Sequence, residues 1–290
     1  MYFFLFQSNE LTAKIEKYKN KCSDEIQKKA RQRNRQYDII FLCTLRYLFR
    51  RFSGRLEISM KIIYIHHSSF FVELEHVTML FDYTEGRLPE FPKDKPLLVF
   101  ASHRHGDHYS EKIFEFMKIH ENIQYILSDD IWVKSQPKEI LEKLISMKPD
   151  DVWEDGQVRV QTYRSTDEGV AFLIQAEGKT IYHGGDLNNW RWEEEPGSWN
   201  DSMAGKYSEE VDKLAGRTID AAFLPLDPRQ EEGFYLGFDE FMRKVSVTHA
   251  FPMHCWGDFS VIKRLKEMDV SAGYRDRISD IAEDGDSFEI

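Results

Sequence analysis

The chain has 290 residues, of which 41% are hydrophobic, and this content excludes a globally disordered protein. Its three cysteines are too few for a disulfide framework. They favour a reducing compartment, so we expect a cytoplasmic location. The sequence contains no run of 18 or more apolar residues and therefore predicts no transmembrane segment.

Charge divides the chain into two parts. Residues 1–59 carry 13 lysines and arginines against 6 acidic residues, a net charge of +7, whereas residues 60–290 carry 26 against 44, a net of −18. We interpret 1–59 as a basic, partly helical or disordered extension, or as a stretch preceding a native start at Met60. Residues 60–290 are predicted to form one domain. Its acidic surface would repel phosphate backbones, which disfavours nucleic acid as a partner.

Most elements predicted after Lys61 are strands. Short apolar or alternating runs predict strands at 62–66, 70–74, 77–81, 97–100, 124–127, 158–162, 170–175, 180–183, 221–224, 245–250 and 287–290. Helical spacing and capping residues predict helices at 110–120, between Pro137 and Pro149, and at 259–268. The tryptophan-rich stretch 188–206 is interpreted as a structured loop.

The most informative motif follows the strand at 97–100. His103, His105, Asp107 and His108 lie within six positions. Clustered imidazoles repel one another when protonated, so a solvated loop gains nothing from them. A divalent metal reverses that penalty, because neutral imidazole and carboxylate are ligands for zinc, iron or manganese. The motif predicts a metal site, with a histidine-rich surface loop as the alternative.

Three further landmarks follow in order: Gly185-Asp186 after a predicted hairpin, Asp227 at a strand end, and His254. Together with the histidine motif they resemble the metallo-β-lactamase-fold hydrolase superfamily. The segment 65–72, Ile-His-His-Ser-Ser-Phe-Phe-Val, is similar to the branch that includes ascorbate-6-phosphate lactonase-like enzymes. The resemblance implies an α/β fold, a four-layered αββα sandwich with its metal site at one edge between the sheets.

The resemblance also implies a ligand set for one or two divalent ions, expected to be zinc, with manganese or iron as alternatives. His103 and His105 match ligands of a first metal, and Asp186 matches a carboxylate that bridges two metals. The ligands matched to the second metal are Asp107, His108 and His254.

One expected ligand is missing. Arg164 stands where the family has a further histidine of the first site, and a guanidinium stays charged and cannot bind a metal. The first site would then be weak, empty, or completed by Asp167, Thr166 or water. We therefore expect one firmly bound metal and a labile second one.

The implied chemistry is hydrolysis of a small-molecule ester, lactone, amide or phosphodiester by metal-bound hydroxide. Asp107 is predicted to orient the water and to carry its proton to the leaving group, or alternatively to cap a helix. The alternative functions are a nuclease of the same superfamily and a non-catalytic metal- or ligand-binding descendant.

Five other residues are candidates for supporting roles. His183 is predicted to donate to a ligand carboxylate and His67 to face the mouth of the site, or each is a structural histidine. Asp227 is predicted to orient a ligand histidine. Arg164 and Arg229 would bind an anionic group of the substrate or pair with surface acids.

Overall fold

The computed structural model describes residues 59–290, which form two mixed β-sheets with helices on their outer faces. Apart from Ser59, the predicted basic extension lies outside the described residues, so its boundary at Met60 stays a prediction. Within residues 59–290, no helix is both long and apolar enough to cross a lipid bilayer.

The first sheet contains seven strands and the second contains six. The strands are β1 (Lys61–His66), β2 (Ser69–Glu73), β3 (Thr78–Phe81), β4 (Leu97–Ala101), β5 (Ile123–Ser128), β6 (Leu144–Met147), β7 (Val152–Glu154), β8 (Val158–Arg164), β9 (Val170–Ala176), β10 (Lys179–His183), β11 (Thr218–Pro225), β12 (Ser246–Met253) and β13 (Ser287–Glu289). Their order is β13-β1-β2-β3-β4-β5-β6 in the first sheet and β12-β11-β10-β9-β8-β7 in the second.

The helices lie in the connections between strands. The α-helices are α1 (Lys138–Leu141), α2 (Gly197–Asp212), α3 (Leu236–Lys244) and α4 (Ser260–Glu267), and 3₁₀ helices span Glu111–Lys118, Pro228–Gly233, Asp269–Ser271 and Arg275–Arg277. In the first sheet β3 to β6 are mutually parallel, and in the second β10 to β12 are parallel. The carboxyl ends of parallel strands meet at one edge, which is where ligands bind in such sheets.

Aromatic side chains fill the space between the two sheets. The rings of Phe70 and Phe223 lie 4.3 Å apart across this interface, and those of Phe100 and Phe172 lie 5.2 Å apart. Neighbouring residues on the first sheet, such as Phe71, face a second core beneath the 3₁₀ helix Glu111–Lys118. Both faces of this sheet are therefore buried, which confirms the predicted α/β layered sandwich.

Two sequence predictions about elements are wrong. The helix predicted between Pro137 and Pro149 is only the short α1, and the following residues form β6, where Ile145 pairs with Ile126 of β5. A short apolar run fits either period, and here the unpaired backbone of β5 decides the outcome. The stretch 188–206, interpreted as a loop, contains the start of α2, which buries Met203.

Gly169 lies between β8 and β9 and packs against Ser102 and His103 in the histidine motif. Its φ is +67°, and a Cβ added there would clash with the Ser102 carbonyl oxygen and lie 2.6 Å from the His103 Cβ. The next residue, Val170, donates its N–H to that same carbonyl at 2.9 Å. A glycine is required here because no side chain fits between the crossing backbones.

We predict that Gly169→Ala lowers the free energy of unfolding by about 2–4 kcal/mol, since it combines a left-handed backbone with overpacking. Gly178→Ala is the matched control, because Gly178 has a φ of +76° but open space around its Cβ position. The control should lose only about 1 kcal/mol. Urea unfolding measures both, and equal losses would contradict the steric argument.

Candidate metal centre

Side chains from both sheets converge at the edge where the parallel strands end. They follow strands directly in the sequence, so the strand ends place them. These residues are His67 after β1, Asp82 after β3, the 102–108 motif after β4, Asp186 after β10, Asp227 after β11 and His254 after β12.

The backbone at this edge is held in unusual conformations. His67, Asp82 and His254 have φ values of +50°, +43° and +63°. A left-handed conformation costs a non-glycine residue on the order of 1–3 kcal/mol, and such residues concentrate at functional sites. Here the N–H of His254 donates to the carbonyl of His67 at 3.2 Å, which joins the two strained positions across the sheets.

A first cluster of potential metal ligands contains His103, His105, Asp167 and Asp186, whose ligand atoms all lie within 4.8 Å of one another. His103 Nε2 lies 3.1 Å from His105 Nδ1, and His105 Nδ1 lies 3.4 Å from Asp167 Oδ2. Ligands bound tetrahedrally to zinc at about 2.1 Å are about 3.4 Å apart. These separations therefore suit a single ion.

A second cluster contains His67, Asp107, His108 and His254, with ligand atoms again within 4.8 Å of one another. The Oδ2 atom of Asp107 lies 3.5 Å from His67 Nε2, 3.8 Å from His254 Nε2 and 3.9 Å from His108 Nε2. His67, which the sequence suggested only for the mouth of the site, is thus a member of the cluster.

Asp186 lies between the two clusters. Its Oδ1 atom is 3.1 Å from His108 Nε2 and 3.5 Å from His254 Nε2, while its Oδ2 atom is 3.6 Å from His103 Nε2. One carboxylate oxygen therefore faces each cluster. This is the placement that a carboxylate bridging two metals requires.

Four ligand atoms, three from histidines of the second cluster and one from Asp186, are buried without hydrogen-bond partners. Among residues 59–290, nothing hydrogen-bonds to the Nε2 atoms of His67, His108 and His254 or to Asp186 Oδ1. A buried polar atom left unpaired costs about 1–3 kcal/mol. Asp186 Oδ1 lies within 3.5 Å of the unpaired Nε2 atoms of both His108 and His254, and a cation among these atoms would satisfy them, so the residues present fit a divalent metal.

Carboxylates behind the histidines set which ring nitrogen faces the cluster. Asp82 Oδ2 lies 2.7 Å from His108 Nδ1, and Asp227 Oδ2 lies 2.9 Å from His254 Nδ1. An ionised carboxylate only accepts, so each Nδ1–H donates and each Nε2 keeps its lone pair for a metal. Ser102 does the same for His103: its hydroxyl donates to Asp82 and lies 3.0 Å from His103 Nδ1.

Asp82 was missed by the sequence analysis. It is wholly buried and also accepts from the Ser102 N–H at 2.7 Å. Burial opposes ionisation, but His183 and His108 hold the pKa of its carboxyl below the usual value. An aspartate directly after an apolar strand was the available signal, and it is the same signal that identified Asp227.

The electrostatics favour a cation at the centre. Burial lowers the pKa of His103 to about 4, so its ring is neutral at pH 7. Burial disfavours the ionised form of Asp186, but the charges of His108 and His254 hold the pKa of this carboxyl well below its usual value. Burial and the charge of Asp186 raise the pKa of Asp167. A divalent cation would relieve that repulsion between carboxylates.

Other predicted residues occupy different positions. His183 does not donate to a ligand carboxylate: its Nε2–H donates to the Ser68 carbonyl at 2.9 Å, and its Nδ1 accepts from the Gly185 N–H. These contacts to backbone fit the alternative interpretation of His183 as a structural histidine. Arg164 is exposed at the end of β8 and belongs to neither cluster.

Arg229 is fixed beside the site. Its guanidinium forms a fork of hydrogen bonds with Asp227, the shortest 2.6 Å long, and lies 4.2 Å from the centroid of the Trp256 ring. Asp227 thus binds both the ring of His254 and the guanidinium of Arg229. The side chain of Arg229 remains 48% exposed, so it can still contact a ligand.

Two cavities flank the clusters. The larger, about 890 Å³, is bordered by His67, Asp107 and Trp256. The smaller, about 180 Å³, is bordered by Asp167, Asp186 and several aromatic residues, and Arg229 lies at its wall. A substrate group can therefore reach the clusters from either side.

Comparison with known proteins agrees with this architecture. Residues 61–196 match a family model described as a beta-lactamase superfamily domain. A UPF0173 metal-dependent hydrolase of Methanosarcina barkeri is 26% identical over 229 residues, covering 72% of this chain and 89% of the relative. A relative with the same description from Alkaliphilus metalliredigens is 25% identical over 226 residues, covering 72% of this chain and 90% of its own.

Two solved structures share the fold. Igni18, a metallo hydrolase of Ignicoccus hospitalis, superposes with a TM-score of 0.54 at 15% identity, covering 80% of this chain and 98% of its own. YhfI of Bacillus subtilis, a metallo-beta-lactamase fold protein, gives 0.54 at 14% identity, covering 80% and 100%. Together these matches support the metallo-β-lactamase-fold superfamily of metal-dependent hydrolases. The predicted superfamily and fold are confirmed, and the finer assignment to a lactonase-like branch stays a prediction.

We predict that Asp82→Asn lowers the affinity for zinc about 10–100-fold, because an amide cannot accept from His108 and both Ser102 donors at once. A competition titration against a chromophoric chelator measures the affinity. Asp220→Asn is the control, since Asp220 accepts from the Thr180 N–H on the second sheet and belongs to neither cluster. An unchanged affinity in Asp82→Asn would show that this carboxylate does not support the metal.

Proposed function

We propose that the protein hydrolyses a small-molecule ester, lactone, amide or phosphodiester at the two clusters. The observation that carries the proposal is the presence of four buried, unpartnered ligand atoms in the two clusters, from His67, His108, Asp186 and His254, beside open cavities. A divalent ion bound there, zinc being the expected one, would lower the pKa of water towards about 7 and polarise the oxygen of the bond under attack.

Asp107 is the proposed catalytic residue. Its carboxylate faces both the second cluster and the larger cavity. The close approach of His67, whose Nε2 lies 3.5 Å from Asp107 Oδ2, holds the pKa of the Asp107 carboxyl well below its usual value, so it is ionised at neutral pH. Its oxygen can therefore orient an attacking water, accept a proton from it and deliver that proton to the leaving group.

Charge around the larger cavity favours a neutral or cationic substrate portion. Glu85, Asp107, Glu283 and Asp284 border this cavity, and Lys112 is the one lysine beside them among the described lining residues. A cleft lined by one sign of charge repels ligands of that sign. With the net charge of −18 on residues 60–290, this argues against a nucleic acid polymer.

The smaller cavity offers an anion-binding group. Arg229 faces the smaller cavity and is held by Asp227 and Trp256, so little ordering is needed when it binds. A guanidinium forks onto a carboxylate or phosphate oxygen pair. We infer that a substrate spans the clusters, with any anionic group on the Arg229 side and the other portion in the larger cavity.

The proposal predicts turnover of a panel of chromogenic esters, lactones, anilides and phosphodiesters by the zinc- or manganese-loaded full chain. Asp107→Asn should lower kcat at least about 100-fold, because proton transfer is lost. Asp94→Asn is the matched control, because Asp94 is exposed and belongs to neither cluster. No turnover with either metal would favour a non-catalytic binding protein.

A separate experiment addresses nucleic acids. We expect the full chain to leave a labelled single-stranded RNA and a DNA duplex intact at metal concentrations that support small-substrate turnover, because the acidic cavity repels phosphates. Gel electrophoresis after prolonged incubation measures cleavage. Cleavage that His254→Ala abolishes would instead identify the protein as a nuclease, whereas cleavage that persists in this variant would indicate a contaminant.

A further inference from the structure

The first cluster departs from the ligand pattern that the resemblance implies. The position of the expected histidine is occupied by Arg164, which is exposed and belongs to neither cluster. Asp167, three residues later, supplies a carboxylate oxygen 3.4 Å from His105 Nδ1 instead. The cluster therefore consists of two imidazoles and two carboxylates, His103, His105, Asp167 and Asp186.

Backbone contacts hold Asp167 in this position. Its N–H donates to Ser165 Oγ at 3.1 Å, and the turn closes through a hydrogen bond from the Ser165 N–H to the Gly169 carbonyl. Thr166 between them donates its hydroxyl to the Asn188 carbonyl at 2.6 Å. The turn is thus tied to the loop that carries Asp186, and through Val170 to the strand end that carries His103.

The two clusters offer different donor sets. The second has three imidazoles, from His67, His108 and His254, with the carboxylate of Asp107 and the shared Oδ1 of Asp186, whereas the first has two imidazoles and two carboxylates. Nitrogen-rich sets suit zinc, whereas additional carboxylate oxygens suit harder ions such as manganese. Zinc binds more tightly than manganese at most sites, so the two clusters are expected to differ in the ratio of their zinc affinity to their manganese affinity.

We propose that Asp167 is a ligand of the first-cluster ion and that the two clusters hold unlike metals, zinc in the second and manganese in the first. The nitrogen-rich cluster takes the first equivalent of zinc, and manganese then fills the oxygen-rich cluster. This inference concerns metal binding alone and holds whatever the substrate proves to be. Its failure is therefore distinguishable from failure of the proposed hydrolase activity.

The test begins with the full chain stripped of metal. About one equivalent of zinc is added, then excess manganese, and unbound metal is removed by gel filtration. Elemental analysis should find about one zinc and about one manganese per chain, with electron paramagnetic resonance reporting protein-bound manganese. A chain that retains zinc alone, or two manganese ions and no zinc, would overturn the proposal.

Three variants identify the ligand. Asp167→Asn should lower manganese affinity at least about tenfold and leave the zinc in place, since it removes one charged donor. Asp167→His gives the first cluster three imidazoles, which favour zinc over manganese. When two equivalents of zinc and excess manganese are added, this variant should hold about two zinc ions and no manganese. Under the same conditions the unaltered chain should still bind some manganese.

Glu168→Gln is the matched control for charge at the same turn. Glu168 pairs with Arg104 at 2.6 Å, and its other oxygen is 3.6 Å from His105 Nε2, so it is the nearest rival carboxylate. This variant should keep both ions. Loss of manganese in Glu168→Gln with retention in Asp167→Asn would assign the ligand to Glu168 and refute the role of Asp167. Thermal unfolding of each metal-free variant confirms that it folds.

Discussion

The hydrogen bonds to the buried carboxylate of Asp82 are the interactions on which the site depends. This side chain accepts from the ring of His108 and from both the backbone and the hydroxyl of Ser102. It thereby joins the end of β3 to the start of the histidine motif after β4. Through Ser102 it also sets the ring of His103. The Asp82 carboxylate therefore orients histidines of both clusters. The hydrogen bonds that it accepts compensate for the complete burial of its charge.

The same principle operates on the second sheet. Asp227 orients His254 from one side and holds Arg229 from the other. Each sheet therefore contributes one buried carboxylate behind the cluster, and each carboxylate fixes an imidazole so that Nε2 faces the centre. The resulting arrangement is rigid before any ion arrives. This arrangement costs folding free energy, because His67, Asp82 and His254 have a left-handed backbone and ring nitrogens of His67, His108 and His254 are buried without partners.

This rigidity links the fold to the proposed chemistry. Aromatic packing between the sheets sets the distance between the strand ends, and the strand ends set the separations among Asp107, Asp186 and the histidines. Open cavities on both sides then give a substrate access to a centre whose ligands do not need to move. The acidic wall of one cavity and Arg229 at the other would select what enters.

The sequence by itself determined the superfamily, the layered fold and most of the residues at the clusters. The reason is that the histidine motif and the later Gly185-Asp186, Asp227 and His254 each follow an apolar strand and together resemble the superfamily, and this resemblance implied the fold. The predicted orienting role of Asp227 needed no more than its position at a strand end, and its distance from His254 suits that role.

The tertiary structure alone decided which residues complete each cluster. The sequence left His67 and Asp167 as open candidates and missed Asp82, because these residues come from three separate chain segments that only the packing of the two sheets brings together. The same limit explains the error at β6, because a short apolar run becomes a strand only when a neighbour such as β5 presents an unpaired edge. Contacts between distant segments depend on how the two sheets pack, and the local spacing of apolar residues does not predict that packing.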